Sequence, residues 1–150
     1  CYCGHHGCIE TFLSGPGLSR DHEFHTKQRA SGPSASGPSA SGPRASGPRA
    51  SGPRASGQDI SVLDLHGNPA ADATLKRYEH RLARAIATVI NILDPDVIVL
   101  GGGLSNLKRL YTNVPKIWAP WIFSDTCTTR LVQNVHGDSS GVRGAAWLWD

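Results

Sequence analysis

Residues 91–105 read Asn91-Ile92-Leu93-Asp94-Pro95-Asp96-Val97-Ile98-Val99-Leu100-Gly101-Gly102-Gly103-Leu104-Ser105. Asp94-Pro95 must end any preceding helix, because the residue before a proline is pushed out of helical geometry. Val97-Ile98-Val99-Leu100 is a short, unbroken apolar run rich in β-branched residues, as in a parallel strand buried on both faces. Three glycines end it, and residues 104–113 can then take up a helix. Strand, glycine turn and helix form an arrangement in which a nucleotide reaches backbone without meeting side chains. A tight turn needed only for packing has the same sequence, so the glycines alone leave both readings open.

Upstream, Asn68-Pro69 predicts a helix start, with asparagine as cap, proline at the first helical position and Asp72 favouring the same end electrostatically. Leu75, Tyr78, Leu82, Ala85, Ile86, Val89, Ile90 and Leu93 follow the three-four spacing of one buried stripe, ending near Leu93. Lys76, Arg77, His80, Arg81 and Arg84 lie off that stripe and read as a solvated basic face. Downstream, Trp118 and Trp121 read as packed inward, with a sugar-stacking platform as the alternative. Residues 130–135 alternate like a last strand. Cys127, alone in a Thr/Ser-rich loop, reads as a free thiol rather than a metal ligand. Residues 136–149 read as a capped helix whose small residues permit close helix packing.

Composition limits the function. The 150 residues carry a formal charge of +3 and contain no methionine, so the chain reads as a portion of a longer translation product. Residues 24–58 hold Lys27, Arg29, Arg44, Arg49 and Arg54 and no acid, and removing those five cations from +3 leaves −2 for the remainder. The folded part is therefore mildly acidic, which argues against a nucleic-acid partner. No apolar run resembles a signal peptide or a membrane span, so no membrane partner is expected and the cytoplasm is the default compartment.

From Ala30 the sequence repeats Ala-Ser-Gly-Pro-Ser twice and Ala-Ser-Gly-Pro-Arg three times. With no apolar side chain larger than alanine and proline at every fifth position, this stretch offers nothing to a core and reads as a linker. Collagen is excluded because glycine does not recur at every third residue. The expected division is residues 1–23, 24–58 as linker, and 59–150 as a C-terminal lobe. Residues 10–18 read as a short apolar segment closed by the breaker cluster Ser14-Gly15-Pro16-Gly17. His22 and His25, which follow, read as solvated.

The first ten residues are Cys1-Tyr2-Cys3-Gly4-His5-His6-Gly7-Cys8-Ile9-Glu10. Three thiols at C-x-C-x4-C spacing, with glycines free to take positive backbone angles, form a knuckle that aims them at one point. Zinc is the expected occupant, with a disulfide or unligated thiols as the alternatives. The close C-x-C spacing favours a metal in a reducing compartment. Glu10, two residues beyond the last thiol, is free to point elsewhere.

The run C-x-C-G-x-x-G-C-x-E followed by Thr11-Phe12-Leu13-Ser14-Gly15-Pro16-Gly17 resembles the signature of the ROK family of repressors and sugar kinases. Residues 91–105 and the ending His136-Gly137-Asp138-Ser139-Ser140-Gly141-Val142-Arg143-Gly144-Ala145-Ala146-Trp147-Leu148-Trp149 extend the resemblance, the last toward the fructokinase and mannokinase branch. It implies an α/β fold that is part of an actin-like, ribonuclease-H-like ATPase architecture with a zinc knuckle. It assigns Cys1, Cys3 and Cys8 to zinc, Glu10 to the sugar, and Gly101, Gly102 and Gly103 to the adenosine side of ATP, with Mg²⁺ as the accompanying ion. The family's fourth zinc ligand, an upstream histidine, has no counterpart in these residues, and His5 and His6 are the local candidates for its place, with the fourth ligand left open.

The implied activity is that of the C-terminal portion of an ATP-dependent hexose kinase, with fructose or mannose as the sugar and a homodimer as an open assembly. The family's D-x-G-x-T phosphate loop and its catalytic-base aspartate have no match in these residues. No catalytic residue is therefore assigned, Asp94 and Asp96 belong to a turn, and activity requires an N-terminal lobe. The alternatives are part of a sugar-sensing ROK repressor or a zinc-binding interaction module.

Overall fold

A computed structural model describes residues 1, 3–30, 56–137 and 140–149. The pentapeptide repeat at 31–55 lies outside the described residues. After the knuckle, α1 (Glu10–Leu13) is followed directly by α2 (Gly15–Ala30). The cluster Ser14-Gly15-Pro16-Gly17, expected to close a segment, opens this helix instead. The Ser14 hydroxyl accepts the Gly17 N–H at 3.1 Å, and Pro16 occupies the first turn, where its missing N–H costs nothing. Helical backbone thus continues past residue 24, the expected start of the linker.

The next helix, α3 (Gly57–Leu65), begins with a reciprocal capping box between Ser56 and Asp59. The longest, α4 (Pro69–Leu93), starts as expected, with the Asn68 side chain accepting the Ala70 and Ala71 amides. It ends at Asp94, which takes the left-handed conformation at φ 42°. Leu75, Tyr78, Leu82, Ile86 and Ile90 are buried as the stripe requires, while Val89 and Leu93 are exposed. Ala83 and Ala87 are buried in their stead, so the buried face turns away from the expected line over the last two turns.

Strands β1 (Val97–Leu100) and β2 (Arg130–Gln133) pair in parallel, Val97 opposite Arg130 and Leu100 opposite Gln133. Burial of β1 on both faces is not observed. Ile98 and Leu100 pack on the core, whereas Val97 and Val99 are 37% and 58% exposed, because the described helices cover one face of the pair. Between the strands, a single 3₁₀ turn (Gly103–Asn106) precedes α5 (Lys108–Ile117), so the expected helix breaks at Leu107 and resumes beyond it. Leu110 and Val114 of α5 join Leu75, Ile86 and Ile90 of α4, Leu131 of β2, Ile60 of α3 and Leu18 of α2 in one core. Trp118 is buried there, and Trp121 lies at the rim with the guanidinium of Arg84 over its ring.

Two expectations about surfaces change. Arg77 and Arg81 are not merely solvated; both reach Asp21 at 2.7 and 2.8 Å and fasten α2 to α4. His22 likewise is half-buried, its Nδ1 3.0 Å from the Thr74 hydroxyl. The C-terminal α6 (Ser140–Ala146) carries no close packing at its small residues: a Cβ on Gly141 or Gly144 would meet nothing within 4 Å. Val142, Trp147 and Leu148 are 75–81% exposed.

Candidate functional site

The knuckle is built by its glycines. Gly4 and Gly7 take φ of 81° and 76°, left-handed values that a side chain would resist, and the Gly4 N–H donates to the Cys1 carbonyl at 3.2 Å. The chain folds back twice within eight residues, and the sulfurs of Cys1, Cys3 and Cys8 come within 4.8 Å of one another. Cys3 and Cys8 lie 3.5 Å apart, Sγ to Sγ. Tetrahedral zinc with sulfur at about 2.3 Å sets its ligands about 3.8 Å apart, so this donor set fits the ion. Neither His5 nor His6 belongs to the cluster. The Cys3 thiol is held below its ordinary value first by the His5 backbone and then by Cys8, whereas its hydrogen bond to Cys3 pushes Cys8 up. All four cysteines are free thiols, and Cys127 stands exposed, apart from the cluster.

Glu10 opens α1 and is exposed. Its helix is held from both sides. The Thr11 hydroxyl donates back to the Cys8 carbonyl at 2.6 Å, which ties α1 to the knuckle. On the other side the Thr11 carbonyl accepts from Arg20 Nη2 at 3.1 Å, and a Cβ on Gly17 would lie 2.6 Å from that same oxygen. Gly17 is thus what lets α1 settle on α2. Tyr78 of α4 completes the support, its hydroxyl pushed up to about 12 by burial and donating to the Leu13 carbonyl at 3.3 Å.

Residues 101–103 follow the carboxyl end of β1, where open parallel sheets take their ligands. All three glycines are exposed, Gly102 has φ 78°, and a Cβ on any of them would meet nothing within 4 Å. No described neighbour requires glycine at 101 or 103, whereas at Gly102 the positive φ favours glycine on backbone grounds. Underneath lies a polar network that sequence reasoning missed. Buried Ser105 donates its hydroxyl to the Gly102 carbonyl at 2.6 Å and accepts from Asn134 Nδ2 at 2.9 Å. The same Nδ2 donates to the Leu100 carbonyl at 3.0 Å, and the Tyr111 hydroxyl donates to the Ser105 carbonyl at 2.7 Å. Ser105 stood inside the glycine string, but nothing in the sequence ties it to Asn134.

Asp94 and Asp96 stay in the turn entering β1: Asp94 caps α4, and the Asp96 carbonyl accepts the Arg130 N–H at 2.9 Å. A second missed feature anchors α5. Arg109 reaches Glu79 and Asp64 at 2.6 Å and Asp72 at 3.2 Å, joining α3, α4 and α5 around a nearly buried carboxylate. Burial opposes the Arg109 charge, but Glu79 and Asp64 outweigh it and hold the guanidinium more firmly protonated than usual.

Known proteins share this chain's sequence pattern and fold. N-acetyl-D-glucosamine kinase of Shigella boydii serotype 4 is 30% identical over 148 residues, covering 99% of this chain and 41% of the kinase. The chain thus spans about two fifths of that relative's length. Among solved structures, a ROK family glucokinase from Streptomyces griseus in complex with glucose and AMPPNP superposes with a TM-score of 0.73 at 20% identity, over 99% of this chain and 46% of the other. A ROK family transcriptional regulator, a homolog of the E. coli MLC protein, does so at 0.63 and 24% identity, over 89% and 30%. The α/β fold is therefore that of ROK proteins, and since the family's sequence profile matches residues 1–150, the chain belongs to the ROK family.

Proposed function

We propose that this chain supplies the sugar-orienting and adenosine-binding parts of an ATP-dependent hexose kinase. The observation that carries the reading is the glycine turn at the carboxyl end of β1, where residues 101–103 are exposed and a Cβ on any of them would meet no described atom within 4 Å. Kinship with an N-acetyl-D-glucosamine kinase and likeness to a glucokinase that holds glucose and AMPPNP support it. In this reading Gly101, Gly102 and Gly103 admit the adenosine side of ATP, and Glu10 accepts hydrogen bonds from sugar hydroxyls. Phosphoryl transfer is mostly positioning and charge stabilisation, so holding the attacking hydroxyl in line is itself a large contribution. Mg²⁺ accompanies ATP, and the transferring base comes from an N-terminal lobe. Zinc, held by Cys1, Cys3 and Cys8, crosslinks the knuckle and so fixes the start of α1, with no part in the chemistry. The hexose is fructose or mannose by the character of the C-terminal ending, with glucose and N-acetylglucosamine as the competing substrates. The cytoplasm is the proposed compartment, and no described helix is long and apolar enough to cross a membrane.

The test joins this chain to the amino-terminal part of the Shigella kinase and follows hexose-dependent ADP formation with both substrates varied. A charge-assisted hydrogen bond is worth about 1.5–3 kcal/mol, so Glu10→Gln is expected to weaken sugar use by at least about tenfold while the ATP dependence stays. Gly102→Val is expected to do the reverse. Should no hexose be phosphorylated, the kinase reading fails. A second reading, the sugar-sensing half of a ROK repressor, is favoured by the likeness to the transcriptional regulator. It predicts hexose binding that depends on Glu10 without any dependence on Gly102.

A further inference from the structure

Asn134 is oddly satisfied. Its Nδ2 makes two hydrogen bonds, to the Leu100 carbonyl and the Ser105 hydroxyl, while its Oδ1 is buried without a partner among the described residues. Turning the amide over would not help, because the Leu100 carbonyl can only accept and would then face another acceptor. A buried polar atom left unpaired costs about as much as two ordinary hydrogen bonds contribute. Asn134 is therefore a poor stabiliser. What its two bonds do is geometric: one grips the residue just before the glycine turn, the other grips Ser105, just after it. Ser105 in turn holds the middle of the turn through the Gly102 carbonyl, by its hydroxyl at 2.6 Å and its N–H at 3.0 Å. Tyr111 fixes Ser105 from α5.

We infer that Asn134 and Ser105 are positioning residues for the nucleotide: together they clamp both ends and the centre of the turn at residues 101–103 from beneath, leaving its outer backbone free for the ligand. The inference deepens the adenosine reading of that turn and rests on it. Three glycines in succession, of which Gly102 already takes φ 78°, would otherwise sample many shapes, and each ligand would have to select one at a cost in affinity. The clamp removes that cost in advance. It is reached from the end of β2 because the parallel register brings Gln133 beside Leu100, so the next residue lands beneath the turn.

The test uses the chain joined to the amino-terminal part of the Shigella kinase and titrates Mg·AMPPNP, with hydrogen exchange of the turn amides read alongside. Asn134→Leu, Ser105→Ala and the milder Tyr111→Phe are compared with Gly102→Val. Losing the clamp is expected to weaken nucleotide binding about tenfold, equivalent to ~1.4 kcal/mol, and to speed exchange at the Ser105 amide. The Asn134→Leu, Ser105→Ala double variant should lose little more than either single one, because both break one device. Asn134→Leu is the telling variant: it also removes the orphaned Oδ1, so its melting temperature should hardly move while binding falls. If the clamp variants bind like wild type and Gly102→Val does not, the clamp is refuted and the site stands. If Gly102→Val also binds like wild type, or wild type does not bind, the nucleotide reading of the turn falls and takes the clamp with it.

Discussion

The cysteine knuckle and the glycine turn solve one problem, holding backbone in an unusual shape, from opposite directions. Each relies on glycine at positive φ, at 4 and 7 in the knuckle and at 102 in the turn. The knuckle is local. Its three sulfurs lie within eight residues of sequence and point at one another, so an ion is the natural fastener. The turn is held from a distance, by a side chain just past the end of β2, and its outer face is left bare among the described residues. A local device can be recognised by spacing, whereas a remote one emerges only when the sheet has formed. It follows that the two should fail independently.

The largest effect is expected from the metal. Structural zinc in finger peptides contributes about 10–16 kcal/mol of apparent binding energy, and three thiols alone should hold it less tightly than a set completed by a fourth ligand. Chelator dialysis, or Cys8→Ser, is expected to release one zinc per chain and to abolish exchange protection from Cys1 through α1, Glu10 included. His5→Ala with His6→Ala should leave the zinc content unchanged, since neither imidazole lies in the thiol cluster. The glycine turn should keep its protection throughout. Equal loosening of residues 101–105 would break the contrast between the two devices.

Next comes Arg109, which anchors α5 and with it the far side of the turn. Its partner Glu79 is 4% exposed, and removing one member of such a pair strands a buried charge at a cost of about 3–5 kcal/mol. Arg109→Leu should lower stability by that order in a denaturant titration and leave zinc content untouched. Arg109→Leu with Glu79→Leu should recover much of the loss. If the single variant also shed the metal, the two regions would be one cooperative unit.

Local signals made most of the elements legible. Asn68-Pro69 and Asp94-Pro95 marked both ends of α4, and the β-branched run at 97–100 marked β1, because capping and proline geometry act within a few residues. Ser14-Gly15-Pro16-Gly17 misled for a related reason. The same residues that break a helix in its interior suit its first turn, and only the Ser14 cap distinguishes the two. The candidate sites divide likewise. Spacing showed the thiols and the glycines, while the Asn134 bond to Ser105, the Arg109 pair with Glu79 and the Gly17 contact to Thr11 depend on pairings across 29, 30 and 6 residues that no period encodes. The Arg77 and Arg81 pairing with Asp21 was hidden in the same way: their charge was plain, their partner was not.

That last pairing gives the smallest predicted effect, and it concerns the seam between the two devices, since α2 lies behind α1 and α4 leads to the turn. Burial works against the ionised Asp21 carboxyl, but hydrogen bonds from Arg77 and Arg81 outweigh it and hold the group below the usual carboxylate range. A carboxylate whose folded-state value is depressed contributes stability above its unfolded value near 3.9, and that contribution is lost as pH falls through the folded value. Both guanidiniums are about a third exposed, so water competes for them and the contribution at neutral pH should be only about 1 kcal/mol. Asp21→Asn is expected to lower stability by that amount near pH 7 and to flatten the acid limb of the stability profile below pH 4. Zinc content and exchange at residues 101–105 should not change. The measurement is urea unfolding of both proteins across pH 3 to 7 in chelator-free buffer. Were the two curves parallel over the whole range, Asp21 would not be titrating against its arginines, and some other contact would have to hold α2 on α4.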